Sequence, residues 1–326
     1  MNLTREITYA EALNEALREE MRRDENVIVF GEDVAVIGGA YRVTKGLLEE
    51  FGPQRVFDTP ISEAAIVGLA VGAALMGLRP VAEIMYIDFL TISIDQLVTH
   101  AAKARFMSGG QVKLPLVVRT QYSLGRVHAS QHSQFLAPWF LNVPGLKVVL
   151  PSTPYDAKGL LKSSIRDDDP VLFIESGVLY STKGHVPVDE YLIPLGKADV
   201  KRAGDDVTIV ALSRTVIEAL KAADKLLEKG IKAEVIDLRT INPMDWDTIL
   251  NSVRKTNRLV VVDDGHKTGS ISAEISARVS EEAFDSLEAP IIRVNSPDIP
   301  VPSSLQLEKA FMVDAEKIIK AVIKIV

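Results

Sequence analysis

Apolar and polar residues alternate along this chain with two different periods. Short runs that are almost wholly apolar, at residues 27–30, 114–119 and 171–175, alternate with segments predicted to be helical, such as 8–23, about 91–105 and 154–167. Apolar strands that alternate with helices are typical of a parallel sheet covered on both faces. The pattern therefore predicts an α/β fold.

The alternation loosens at residues 177–194, a polar run with glycines and prolines, and then begins again. The second series consists of strands at 207–212, 233–238, 258–262 and 291–294 and helices at 216–229, 246–255, 272–283 and 314–325. A loose segment between two such series is typical of a domain boundary. We expect a first domain over 1–185 and a smaller α/β domain over 195–326.

One stretch departs from the amphipathic pattern. Ser62, a good helix N-cap, and Glu63 precede the uncharged residues 64–78. A helix without a polar face is expected to be packed on all sides inside a large domain, and this one is too short to span a bilayer. Glu63 is then either a carboxylate stabilised by the helix dipole or a desolvated acid that awaits a ligand nitrogen.

Composition narrows the classes of function. The 326 residues carry a net charge of -7, which argues against nucleic acid as a partner because no continuous basic surface would neutralise phosphates. Cysteine is absent, which removes disulfides, thiolate catalysis and Cys-ligated metals and fits a cytoplasmic protein. The N-terminal segment has no apolar core of the signal-peptide type, so we expect no secretion and no membrane anchor.

Three motifs bear on the chemistry. Gly68, Gly72 and Gly77 do not have the spacing of a dinucleotide-binding loop, and no G-x-x-x-x-G-K-[ST] is present. His132, in the phrase QHSQ of a long polar loop, is either a proton donor and acceptor or an imidazole bonded to its loop neighbours. The acidic turn 167–169 is either a solvated helix end or a source of oxygen ligands for a hard cation.

Six phrases together resemble one family: the beta subunit of the thiamine-diphosphate-dependent decarboxylase component of 2-oxo acid dehydrogenase complexes. In order they are GEDVAVIGGAYRVTKGL, RVFDTPISEAAIVGLAVGAALMGLRPVAEI, DQLVTHAAKARFMSGGQ, QHSQ, PGLKVVLPSTPYDAKGLL and EVIDLRTINPMD. The resemblance covers the chain from about Thr8 to the C-terminus. It implies a parallel-sheet pyrimidine-binding domain followed by a smaller α/β domain like the C-terminal domain of transketolase.

The resemblance also implies roles for particular residues. Glu63 would hydrogen-bond the aminopyrimidine ring of thiamine diphosphate and favour the tautomer that removes the thiazolium proton. Phe89 would stack on that ring, with Ile61 beside it. His132 would manage protons near the substrate and lipoyl entrance during reductive acylation. A structural potassium ion would be held, mostly through backbone oxygens, by Leu116, Ser164, Ile165, Asp167 and Asp169.

Partners follow from a missing motif. Thiamine enzymes hold the diphosphate through magnesium on a GDG motif, which this chain lacks. The resemblance therefore implies an alpha subunit that holds the diphosphate and magnesium and that forms an α2β2 heterotetramer with this chain. It also implies that the second domain docks on a lipoyl-bearing acyltransferase core, with Glu288 at the docking position.

The substrate is expected to be a 2-oxo acid. Pyruvate is favoured, while acetoin and branched-chain 2-oxo acids remain open. Two other classes also remain open: another two-chain thiamine enzyme that acts on sugar phosphates, and a catalytically silent assembly subunit.

Overall fold

The computed structural model describes residues 3–326, which form two compact units. The first unit extends through Ser123 and resumes with Asn142–Leu195, and the second comprises Leu124–Leu141 and Gly196–Val326. The sequence places residues 124–141 in the first domain, whereas their contacts group them with the second unit. One reason is a set of hydrogen bonds from this loop to Glu308 and Val301 of the second unit. The domain limits 1–185 and 195–326 stay a prediction.

The elements up to residue 187 are, in chain order, β1 (Thr4–Thr8), α1 (Tyr9–Arg23), β2 (Val27–Gly31), α2 (Leu47–Phe51), β3 (Val56–Asp58), α3 (Glu63–Leu75), β4 (Arg79–Ile84), α4 (Ile87–Leu90), α5 (Ala102–Met107), β5 (Val117–Tyr122), α6 (Pro138–Leu141), β6 (Lys147–Val149), α7 (Pro154–Arg166), β7 (Val171–Ser176) and β8 (Lys183–Pro187). The remaining elements are β9 (Asp199–Arg202), β10 (Val207–Ala211), α8 (Thr215–Leu227), β11 (Ala233–Asp237), β12 (Thr240–Asn242), α9 (Trp246–Thr256), β13 (Leu259–His266), α10 (Ile271–Glu282), β14 (Ile292–Ser296), α11 (Leu305–Phe311) and α12 (Ala315–Val322).

A parallel sheet forms the centre of the first unit. Its strands follow the order β6-β7-β5-β4-β2-β3, and each neighbouring pair is parallel. Strands β2, β5 and β7 are buried at every position, which explains why β2 is wholly apolar, while β5 and β7 also bury polar side chains such as Arg119 and Glu175. In such sheets, ligands bind beyond the carboxyl ends of the strands. A site is therefore expected at this edge of the sheet.

The second unit is a smaller α/β structure. Its sheet has the order β14-β13-β10-β11-β9, in which only the edge strand β9 is antiparallel to its neighbour. Apolar residues of α8 and α12 pack on the strands and form one buried cluster, which includes Ile209 of β10 and Val260 of β13. The predicted class, a parallel-sheet α/β domain followed by a smaller α/β domain, is confirmed.

The helix that begins at Glu63 differs from the prediction in two ways. Ser62 occupies the N-cap position, but its side chain makes no capping hydrogen bond. The helix is also not packed on all sides within this chain: Leu69 is 48% exposed, Leu75 51% and Met76 84%. One face of α3 packs on β4 and on residues 91–101, and the opposite apolar face is open. The absence of charged residues in α3 therefore does not mean that the chain itself buries the whole helix.

Residues 85–107 also differ from the prediction. The sequence analysis expects one helix at 91–105, but the segment consists of α4, a 3₁₀ turn (Thr91–Ser93), a π-helical turn (Gln96–Ala101) and α5. Phe89 lies in the short helix α4, which follows the end of β4 at Ile84. Strands β1 and β8 pair antiparallel, although the sequence placed Gly184 and Pro187 in a loose boundary. No helix within residues 3–326 is both long and apolar enough to cross a membrane.

Candidate functional site

The carboxyl edge of the first sheet is shaped by a close approach of two strands. A Cβ atom on Gly31, the last residue of β2, would lie 2.6 Å from the carbonyl oxygen of Glu83 in β4. Only glycine fits there, because the obstructing atom belongs to the backbone. The chain then continues into Glu32 and Asp33 at this edge.

The loop after β2 is fixed over the same edge. The carboxylate of Asp58, the last residue of β3, accepts hydrogen bonds from the N–H groups of Ala35 (2.7 Å) and Val36 (3.2 Å). The hydroxyl of Thr44 donates to the carbonyl of Val34 at 2.7 Å. These contacts hold in place the loop that carries Tyr41.

Glu63 lies at the first position of α3, which packs on β4. It is 7% exposed, and its carboxylate accepts no hydrogen bond from any residue in the range 3–326. The N-terminal end of a helix favours a negative charge, and the carboxylate oxygens are not fully enclosed by the chain, so they are open to a hydrogen-bond donor. A ligand that donates a hydrogen bond would satisfy them.

Glu32 lies within electrostatic range of Glu63. Burial raises the pKa of Glu32, and the nearby charges of Glu63, Asp33 and Glu83 raise it further. Acids whose proton affinity is raised by burial and like charges are found in catalytic sites more often than elsewhere. Glu32 and Glu63 therefore form an acidic pair beside the edge of the sheet.

Phe89 and Ile61 belong to the same unit as Glu63. The Phe89 ring is half-buried and meets Tyr86 edge-on, with 5.4 Å between ring centroids. The Tyr86 hydroxyl accepts a hydrogen bond from Tyr41 at 2.9 Å, and Gln121 donates to Tyr41 at 3.3 Å. Ile61 precedes the helix by two residues and is exposed.

An ionic network crosses the sheet below this edge. The buried guanidinium of Arg119 donates to Glu83 (2.7 Å) on one neighbouring strand and to Glu175 (2.8 and 2.9 Å) on the other. Burial works against the charge of Arg119, but the two carboxylates outweigh it and raise its pKa. Burial raises the pKa of Glu175 to about 6. The network fixes β4, β5 and β7 relative to one another.

The residues implied for a potassium ion also meet in the first unit. The Leu116 carbonyl accepts from the N–H of Val171 at 2.8 Å, and the Ser164 carbonyl accepts from the N–H of Asp167 at 3.3 Å. Arg79 donates to the carbonyls of Ile165 and Asp167, each at 3.0 Å.

The carboxylates of Asp167 and Asp169 in the acidic turn form ion pairs with basic side chains. Lys147 binds the Asp167 carboxylate, while Asp169 contacts Lys147 and Arg105. Backbone carbonyl oxygens are ligands that a hard cation accepts. The set is chemically suited to potassium, although basic side chains already neutralise the turn.

His132 lies in the second unit, on the loop that connects β5 to α6. This loop and the segment around the start of α11 line a cavity of about 730 Å³, and the lining residues include His128, His132, Ile299, Val301 and Leu307. Burial and the charges of Arg126 and His132 lower the pKa of His128, and Glu308 opposes them.

Glu288 is also in the second unit. Its exposed carboxylate forms an ion pair with Arg258 at 2.7 Å. It borders a surface cavity of about 590 Å³ together with Phe284 and Arg293.

Comparison with known proteins agrees with this architecture. Residues 5–182 match the family "Transketolase, pyrimidine binding domain", and residues 196–318 match "Transketolase, C-terminal domain". The beta subunit of the pyruvate dehydrogenase E1 component of Rickettsia felis is 49% identical over 98% of both chains. The 2-oxoisovalerate dehydrogenase beta subunit of Bacillus subtilis is 47% identical over 96% of both chains. This chain belongs to the 2-oxo acid dehydrogenase beta subunits.

A third relative of this beta subunit differs in the substrate that its name gives. It is the beta subunit of acetoin:2,6-dichlorophenolindophenol oxidoreductase from Bacillus subtilis, 48% identical over 99% of this chain and 98% of the relative. Among solved structures, a split-gene transketolase described as an inactive beta4 tetramer superimposes with a TM-score of 0.81 at 22% identity over 98% of both chains. At that identity the likeness concerns the fold.

Several polar groups at the site of this beta subunit are not predicted by its sequence. The sequence and its family resemblance predict Ile61, Glu63 and Phe89 at the site, but not Glu32, Tyr41 or the Arg119 network. Glu32 was visible as an acid that directly follows an apolar strand, which is a usual position for site residues in a parallel sheet. The partners of Arg119 lie 36 and 56 residues away, so no local pattern marked them.

Proposed function

We propose that this chain is the catalytic beta subunit of a 2-oxo acid dehydrogenase decarboxylase component. With an alpha subunit it would decarboxylate a 2-oxo acid oxidatively, pyruvate being the favoured substrate, and transfer the acyl group to a lipoyl group. The observation that carries the proposal is the Glu63 carboxylate, which is buried at the head of α3 without a hydrogen-bond donor among residues 3–326. The family membership of the chain supports the same role.

Thiamine diphosphate, when bound, would supply the electron sink for loss of carbon dioxide. The Glu63 carboxyl group fits a pyrimidine ring, because it would share a proton with a ring nitrogen, which by itself has a lone pair and no hydrogen. Phe89 would provide an aromatic face and Ile61 an apolar contact. Burial and, after it, the charge of Glu63 raise the pKa of Glu32, so Glu32 would take up a proton more readily than an ordinary glutamate.

The diphosphate and magnesium would be held mainly by an alpha subunit. This chain lacks the GDG motif, and residues 3–326 contain no cluster of three or more His, Asp or Glu side chains suited to a metal. Potassium, if bound by the carbonyls around Ile165 and Asp167, would be structural. The exposed apolar face of α3 supports assembly into an α2β2 heterotetramer, in which that face would be covered.

His132 would manage protons during acyl transfer to the lipoyl group. Glu288 and the neighbouring surface of the second unit would dock on a lipoyl-bearing acyltransferase core. We place the enzyme in the cytoplasm, as the sequence predicted, and fractionation of the native cells would test that location.

The substrate can be identified by carbon dioxide release from a panel of pyruvate and branched-chain 2-oxo acids, with acetoin oxidation measured in parallel. The chain would be assayed alone and with its alpha partner, with thiamine diphosphate and magnesium present. We expect activity only in the mixture, highest with pyruvate. Turnover by the chain alone would contradict the shared site, and turnover of sugar phosphates would indicate a different two-chain thiamine enzyme.

The role of Glu63 can be tested by the variant Glu63→Gln. We expect decarboxylation by the assembled enzyme to fall at least about 100-fold, because the amide cannot take a proton at neutral pH, a role usually worth about 10²–10⁴-fold. Glu49→Gln, the same change in the first turn of α2, is the matched control and should keep full activity. Normal turnover by Glu63→Gln would exclude the catalytic proposal and favour a silent assembly subunit.

A further inference from the structure

The loop that carries His128 and His132 has an unfavourable backbone conformation. Val127 and Ala129 both have φ = 61°, and Gly125 has φ = 95°. A positive φ is ordinary for glycine, but a β-branched residue adopts it only where the surrounding structure enforces it. The loop therefore needs an anchor if its two imidazoles are to stay in one place.

Glu308 of α11 is in a position to be this anchor. The residue is 1% exposed, and its two carboxylate oxygens accept the N–H groups of Gly125 and Val127, each at 2.9 Å. Hydrogen bonds to an ionised acceptor are roughly twice as strong as neutral ones. One of the two bonds ends on the strained residue Val127 itself. A further bond, from the Ser130 hydroxyl to the Val301 carbonyl at 2.7 Å, ties the next turn of the loop to the same unit.

The anchor is adjacent to the cavity that holds the histidines. Leu307, the residue before Glu308, lines that cavity together with His128 and His132. One turn of α11 therefore both lines the cavity and fixes the loop. All of these residues belong to the second unit.

We propose that Glu308 is a positioning residue for His132, acting through the main chain of Gly125 and Val127 and not by contact with substrate. The inference rests on the role in acyl transfer proposed for His132. Loss of the anchor would leave Glu63 and its surroundings in the first unit unchanged, but it would allow the loop to leave the strained conformation. Acyl transfer to the lipoyl group should then fall more than decarboxylation.

The variant Glu308→Gln tests the anchor at nearly constant volume. An amide offers one acceptor oxygen and one NH₂ donor, so it places a donor against one of the two N–H groups that the carboxylate accepts. Glu308→Asp keeps both acceptor oxygens on a shorter side chain and should show a smaller effect. Gln306→Ala, at an exposed position of the same helix, is the matched control.

The experiment uses the assembled enzyme with its alpha subunit. Decarboxylation is measured with 2,6-dichlorophenolindophenol as the oxidant, and reductive acylation is measured with a lipoylated domain. We expect the ratio of acylation to decarboxylation to fall at least about ten-fold in both His132→Ala and Glu308→Gln, within the range usual for loss of a proton-transfer group, and to stay unchanged in Gln306→Ala. Hydrogen exchange followed by mass spectrometry should accelerate in peptides of residues 124–134 of Glu308→Gln and nowhere else.

The possible failures can be told apart. An unchanged ratio and unchanged exchange in Glu308→Gln, beside an impaired His132→Ala, would overturn the positioning role alone. Faster exchange throughout the second unit would also overturn it, because that result indicates a general structural role. An unchanged ratio in His132→Ala would overturn the function proposed for His132 and the positioning inference with it.

Discussion

Glu63 and Glu308 are both buried glutamates, but their surroundings differ. Glu308 accepts two backbone N–H groups, whereas Glu63 accepts no hydrogen bond within residues 3–326. A carboxylate that accepts backbone N–H groups stabilises the local structure, while one that accepts no hydrogen bond from its own chain can accept one from a ligand. The sequence identified Glu63 through its uncharged flank, but Glu308 sits among ordinary helical residues and could not be distinguished.

Asp263, in β13, is a third buried acid, and its surroundings change its pKa. Burial raises its pKa to about 6, although the N–H groups of Gly265 (2.6 Å) and Ser272 (3.3 Å) oppose the shift. Because the folded-state pKa lies above the unfolded value of about 3.9, this acid favours the folded state at low pH and loses that contribution as the pH rises through the folded-state pKa. We expect a loss on the order of 1 kcal/mol between about pH 5 and pH 7.5.

The variant Asp263→Asn isolates this effect, because the amide does not titrate. The free energy of unfolding of the original chain minus that of the variant, measured with urea across this pH range, should decrease with pH. A difference that is constant or increases with pH would contradict the raised pKa.

At the scale of elements, β4, β5 and β7 are connected by both backbone pairing and charge. Arg119 of β5 stands directly opposite Glu83 of β4 and reaches Glu175 of β7. The apolar pattern predicted these strands, but the pairing of their polar residues depends on strand order. The order is set by helices that return the chain in parallel, so the network could not be derived from any one strand.

The variant Arg119→Met should lower the free energy of unfolding by about 3–5 kcal/mol, because it leaves the buried Glu175 and the half-buried Glu83 without their cation. Denaturation with urea measures the change. Combining Arg119→Met with Glu83→Gln and Glu175→Gln removes those charges and should restore much of the stability. If the single variant were as stable as the original chain, the network would not hold these strands.

At the scale of the whole molecule, the open face of α3 is the main departure from the sequence-based prediction. The sequence predicted a helix packed on all sides, but Leu69, Leu75 and Met76 are exposed in the chain. An apolar face that its own chain leaves open is typical of a surface covered by another subunit. The proposed heterotetramer gives this face a partner.

We therefore expect Leu69→Glu to prevent assembly with the alpha subunit while the isolated chain stays folded. Leu227→Glu is the matched control, since Leu227 on α8 is also 48% exposed. Size-exclusion chromatography with light scattering measures assembly, and circular dichroism checks the fold. A Leu69→Glu chain that still forms the full complex would exclude this face from the interface.

The sequence by itself determined the α/β class, the run of apolar strands and the importance of Glu63, because burial on both faces of a sheet requires apolar residues at successive positions. Tertiary structure alone decided which distant groups meet: Arg119 with Glu83 and Glu175, and Glu308 with the loop of His132. It also decided that residues 85–107 break into short helical pieces. These features depend on contacts between segments far apart in the chain, which no local period of polar and apolar residues encodes.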